Sequence, residues 1–114
     1  MIAVIFEFSP APGRKQEYLD LAAALKPELD RADGFVSIER FESITRPGHF
    51  VSLSFWRDEE ALRKWRNLAQ HREAQAKGRG GIFSGYRLRV AAVARDYTHA
   101  ERGQAPRDSV EYHG

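Results

Sequence analysis

The spacing of apolar residues changes period repeatedly along this chain, from two to 3.6 and back, in an order that few folds accommodate. Ile2, Val4, Phe6 and Phe8 fall on one face of an extended segment and Ala3, Ile5 and Glu7 on the other. Both faces are apolar enough to place this strand inside a sheet. Pro10-Ala-Pro-Gly13 breaks it, and from Arg14 the positions Tyr18, Leu21, Ala22, Leu25, Leu29 and Ala32 take helical spacing, with a bend expected at Pro27. Asp33-Gly34 stops the helix. Phe35–Ser43 and His49–Trp56 then read as strands joined by a hairpin loop at Ile44–Gly48. Asp58 is an N-cap, with Glu59 and Glu60 against the positive end of a second helix that runs towards Lys77 and stops at Gly78-Arg-Gly-Gly81. In the last strand Tyr86, Leu88, Val90, Ala92 and Ala94 alternate with Arg87, Arg89, Ala91, Val93 and Arg95.

The resulting order, β-α-β-β-α-β, is the ferredoxin-like α+β arrangement, in which a four-stranded antiparallel sheet carries two helices on one face. The other face is left open, and Phe41, Phe50 and Phe55 make the strands too apolar for both faces to meet water. A second copy closing two sheets into a barrel-like homodimer is the expected solution. The domain spans residues 1–96, and residues 97–114 form a polar tail, mobile or wrapped over a partner.

Composition narrows the chemistry. Cysteine is absent from the 114 residues, which removes disulfides, thiolate metal sites and cysteine nucleophiles and leaves a reducing cytoplasm as the default. With 18 basic against 16 acidic residues, the net charge of +2 gives no nucleic-acid or membrane footprint. No apolar run approaches the roughly 20 residues of a membrane helix. Histidines 49, 71, 99 and 113 form no H-x-x-x-H pair, so no metal site is expected. The glycines at 78–81 lack the Gly-Lys-Ser/Thr ending of a phosphate loop, and no G-x-S-x-G elbow exists. The topology also serves RNA-recognition domains, but Gly48–Phe55 lacks the Lys/Arg-Gly-aromatic opening of their RNA-binding strand.

What remains is Trp65 and, six residues on, His71. An apolar wall and a group that titrates near neutrality thus share one helix, about 120° apart around it. Trp65, with Leu62, Leu68, Ala69 and Ala76, fills a core or walls a pocket, and His71 is a surface histidine or a base at a pocket mouth. Arg87, Arg89 and Arg95 read as a solvated strand face or as a cradle for an anion or enolate.

Gly34-Phe-Val-Ser-Ile-Glu-Arg-Phe41, Leu53-Ser-Phe-Trp-Arg-Asp-Glu-Glu-Ala-Leu62 and the Trp65–His71 segment resemble the antibiotic biosynthesis monooxygenase family of dimeric α+β barrels, over residues 1 to about 96. The resemblance implies an oxygenase that needs no cofactor, deprotonates a small aromatic or quinol-type substrate and lets the anion reduce O2. It places Trp65 and His71 as catalytic residues and Arg87, Phe55 and Tyr86 as substrate-binding ones. An asparagine that the polyketide oxygenases carry four residues before the tryptophan is Ala61 here. The family's haem-degrading branch gives the alternative, a haem-bound enzyme. That branch has a first-strand asparagine where this chain has Glu7 and a histidine ten residues after the tryptophan where this chain has Gln75. A non-catalytic dimer that binds a small hydrophobic molecule is the third reading.

Overall fold

The computed structural model describes residues 1–76 and 81–113, apart from the side chains of residues 70–76, 110, 112 and 113. Its elements are β1 (Ile2–Pro10), α1 (Lys15–Arg31), β2 (Phe35–Glu42), β3 (Phe50–Trp56), α2 (Glu59–Ala76), β4 (Phe83–Ala92) and a short C-terminal α3 (Arg107–His113). The four strands form one antiparallel sheet in the order β2-β3-β1-β4. This is the ferredoxin-like arrangement expected, with β1 inside the sheet.

Period-two alternation decides which side chains meet the helices. Ile2, Val4, Phe6 and Phe8 of β1 pair across from Trp56, Ser54, Ser52 and Phe50 of β3, and all of these lie on the helix-bearing face. Leu29 from α1 and Ala61 and Leu62 from α2 close over Trp56, with Ile2, Val4, Phe35 and Ile38 packed around them. Phe8 and Trp56 are the most deeply buried large side chains, at 1% and 2% exposure. Ala3, Ile5, Glu7, Val51, Leu53 and Phe55 occupy the other face, which no helix covers.

Of the three strand phenylalanines, Phe50 stacks on Phe8 at 5.7 Å and belongs to the helix-bearing face, while Phe41 and Phe55 belong to the open one. Several boundaries differ from the expectation. The last strand begins and ends three residues earlier than its alternation suggests, because β1, its sheet neighbour, pairs from Ile2 opposite Ala92. Helix α1 continues through Pro27 to Arg31. The expected helix stop at Gly78-Arg-Gly-Gly81 lies outside the described residues apart from Gly81, whose φ is +68°. The polar tail carries α3. The radius of gyration is 16.9 Å, against about 13 Å for a compact chain of 100 residues.

Candidate functional site

The position of Trp65 is set where α2 begins. Asp58 Oδ1 accepts the Ala61 backbone N–H at 2.8 Å, the N-cap the sequence proposes. That bond, followed by Arg57, holds the Asp58 carboxyl below its usual range. Arg57 also forks onto Asp33 with two hydrogen bonds of 3.0 Å, tying the start of α2 to the end of α1 and lowering the Asp33 carboxyl in turn. The Arg57 N–H donates to the Gly34 carbonyl at 2.7 Å. Gly34 has a φ of +80°, and a Cβ there would stand 2.4 Å from the Ala61 methyl, so only glycine lets α2 approach this closely. Two turns on, Trp65 leans on Trp56 with ring centroids 6.1 Å apart and remains half-buried. The Trp56 indole N–H is satisfied by Ser54 Oγ at 3.1 Å.

On β4, Tyr86, Leu88 and Val90 pair with Phe8, Phe6 and Val4 and therefore share the helix-bearing face. They are nevertheless 70%, 53% and 44% exposed. Tyr86 stands 5.7 Å from Phe6 and 6.3 Å from Phe83, so one end of this surface is an aromatic shelf with a phenol at its rim. Such an exposed apolar row, ending in an aromatic shelf, suits a flat hydrophobic molecule. Among the described residues no group of three His, Asp or Glu side chains is placed to hold a metal.

The structure thus divides the residues expected to form one site. Trp65 and Tyr86 lie on the helix-bearing face. His71 lies on α2 one to two turns past Trp65, with its side chain outside the described residues. Phe55 and Arg87 lie on the opposite face, Phe55 across from Ala3 and Arg87 across from Glu7. The reason is the pleat: neighbours in a strand point to opposite faces, so Arg87 cannot join Tyr86, nor Phe55 the pocket that Trp56 floors. Glu7, at the position compared with the haem-degraders' asparagine, likewise faces away from Trp65.

On that open face the structure assembles a cluster the sequence did not announce. Glu7 accepts a hydrogen bond from Arg89 and lies 3.5 Å from His49 Nε2, while His49 Nδ1 meets Ser9 Oγ at 3.3 Å. Arg89, and after it His49, keeps the Glu7 carboxyl ionised below its ordinary range. Its members come from β1, β4 and the residue before β3, so no local spacing reveals them. The available signal was a lone glutamate in an apolar strand, facing an arginine-rich one.

Comparison with known proteins places this geometry. Residues 1–77 match the sequence model of the antibiotic biosynthesis monooxygenases. A jasmonate monooxygenase of Pyricularia oryzae is 50% identical over 93 residues, which are 82% of this chain and 43% of the relative. The chain spans about half the length of the curated relatives it matches. Among solved structures, Rv0793 of Mycobacterium tuberculosis superposes with a TM-score of 0.70 at 23% identity, covering 85% of this chain and 98% of the other. The heme-degrader MhuD of the same organism, with two hemes bound, gives 0.65 at 18% identity over 86% and 100% of the chains. At these identities the structural likenesses speak for the fold.

Proposed function

The chain belongs to the antibiotic biosynthesis monooxygenase family, and from that membership we propose that it is a monooxygenase that oxidises a small hydrophobic substrate with O2 over the apolar row that β4 turns towards the helices. The observation that carries this reading is the exposed apolar row Tyr86, Leu88 and Val90 on the helix-bearing face of β4. For a substrate with an activated CH2, such as an anthrone or quinol-type ring, the reaction balances without a reductant. The CH2 becomes a carbonyl, one atom of O2 supplies its oxygen, and the other leaves as water.

In this reading His71 removes the first proton, Trp65 stacks on the ring, and the Tyr86 hydroxyl donates to the developing oxyanion. The named activity of the Pyricularia oryzae relative adds jasmonate, a compact ketone with a carboxylate side chain, to the substrate classes. Haem fits the chain less well. The described row on β4 offers no iron ligand but the Tyr86 phenol, and the position ten residues after Trp65 is Gln75. The open face, with Phe55, Leu53 and Val51 half-buried and Phe41 44% exposed, is proposed as the homodimer contact.

The test is oxygen uptake with anthrones, quinols and jasmonate, using isotopically heavy dioxygen to follow the inserted atom. Uptake matched to substrate loss, abolished in His71→Ala and reduced in Trp65→Ala, supports the reading. Tight binding with no oxygen consumption overturns it in favour of a binding module. A Soret shift on adding haem that His71→Ala removes overturns the cofactor-free chemistry.

A further inference from the structure

Where the first turns of α1 cross Phe8 and Phe50, the helix-bearing face holds a cleft of about 230 Å³. Phe8, Phe50 and Leu19 make an apolar floor and wall, and two cations stand at its rim. The Lys15 ammonium sits 5.2 Å from the centre of the Phe50 ring, and the Arg40 guanidinium 5.8 Å from that of Tyr18. Arg40 Nε donates to the Tyr18 hydroxyl at 3.1 Å. Among the described residues that bond leaves the two terminal nitrogens of the guanidinium and the Tyr18 O–H as unused donors side by side at the cleft. Among the described residues neither Lys15 nor Arg40 has a carboxylate partner. Glu42, the acid lining the cleft, is engaged by the Gly48 N–H at 3.0 Å.

Cations held over ring faces in an apolar cleft, with a guanidinium fork already oriented, form a receptor for an anion that carries a hydrophobic body. We propose that this cleft binds small amphipathic carboxylates, the carboxylate taken by Arg40 and Tyr18 with Lys15 as the second charge, and the apolar part resting on Phe8 and Phe50. The volume lies below the roughly 300–1,000 Å³ of sites for drug-sized molecules, so the ligand is small. A monocarboxylate matches the charge, because two cations and one acid leave a single positive charge to neutralise. None of Tyr86, Leu88 and Val90 lines this cleft, and the proposal does not depend on the oxygenase reading.

The test is an amide-shift titration of isotopically labelled full-length protein with phenylacetate and with 2-phenylethanol, its neutral counterpart. Phenylacetate is expected to shift amides of residues 15–19, 40–42 and 50 saturably, with the alcohol binding about tenfold more weakly. Arg40→Gln is expected to weaken phenylacetate about tenfold, and Arg40→Lys to restore only part of it. Lys15→Gln, a change at an exposed position, is expected to cause a smaller loss, and added salt, by weakening phenylacetate binding to the wild type, is expected to narrow that difference. Equal affinity for acid and alcohol, shifts confined to residues 65–68 and 86–90, or no saturable shift below about 10 mM overturns the proposal. No turnover enters this measurement, so its failure leaves the oxygenase reading standing, and the failure of that reading leaves this site standing.

Discussion

The two halves of the helix-bearing face have similar residues and opposite fates. Over β3 and β2, Trp56, Ala61 and Leu29 are 2–5% exposed, and Gly34 lets α2 come close enough to exclude water. Over β4, Tyr86, Leu88 and Val90 are as apolar and face the same way, yet 44–70% of each remains exposed. Apolar alternation therefore records which face a strand turns towards the helices, and the helices' placement decides whether that apolar surface serves folding or stays available to a ligand. The covered half accounts for stability, and the uncovered half is the one proposed to do chemistry.

Changes in the covered half should produce the largest stability effects. Trp56→Ala is expected to cost about 3–5 kcal/mol, because it empties the centre of the core; urea unfolding measures it. Gly34→Ala adds roughly 1–3 kcal/mol of backbone strain to a comparable cost for overpacking against Ala61, and a fall in Tm reports it. Trp65→Ala, at the boundary, should separate the two roles: about 1–2 kcal/mol of stability, with a proportionally greater loss of oxygen uptake. If Trp65→Ala lost stability as Trp56→Ala does and kept its uptake, Trp65 would belong to the covered half.

The smallest effect concerns pH. Asp33 and Asp58 have folded pKa values lowered by Arg57 and by the Ala61 N–H, so the unfolded chain takes up their protons first. Their contribution is complete above the unfolded carboxylate range and is lost as pH falls through the folded values. Tm measured from neutral to acid pH should therefore decline in that range, and Asp58→Asn, which keeps a cap without the charge, should flatten the decline. A Tm that rises on acidification contradicts the assignment.

Most of the scaffold was legible because its determinants are local. The strand periods, the Asp58 cap and the Asp33-Gly34 stop each act within a few residues, and together they give the element order. The division of the site was legible in part, since alternation alone already separates Tyr86 from Arg87. What could not be read was how far the helices reach across the sheet. Tyr86 and Phe8 look equivalent in sequence, yet they are 70% and 1% exposed. The Glu7–Arg89–His49 cluster and the Arg40–Tyr18 pair were illegible for a related reason. Their partners are separated by 22 or more residues and meet only through sheet register and the crossing of α1.

Arg87 and Leu88 are adjacent on β4 and face opposite ways, so comparing their variants tests most directly whether the helix-bearing side of this strand holds the substrate. Steady-state oxygen uptake would be measured for Leu88→Glu and Arg87→Gln beside the wild type, with Tm as the control for folding. The account predicts that Leu88→Glu lowers kcat/KM at least about tenfold, because a charge is placed where the apolar substrate rests. Its Tm should change little, since Leu88 is 53% exposed, and Arg87→Gln should stay within about twofold of the wild type. The reverse pattern, with uptake lost in Arg87→Gln and retained in Leu88→Glu, would place the chemistry on the open face and contradict the account.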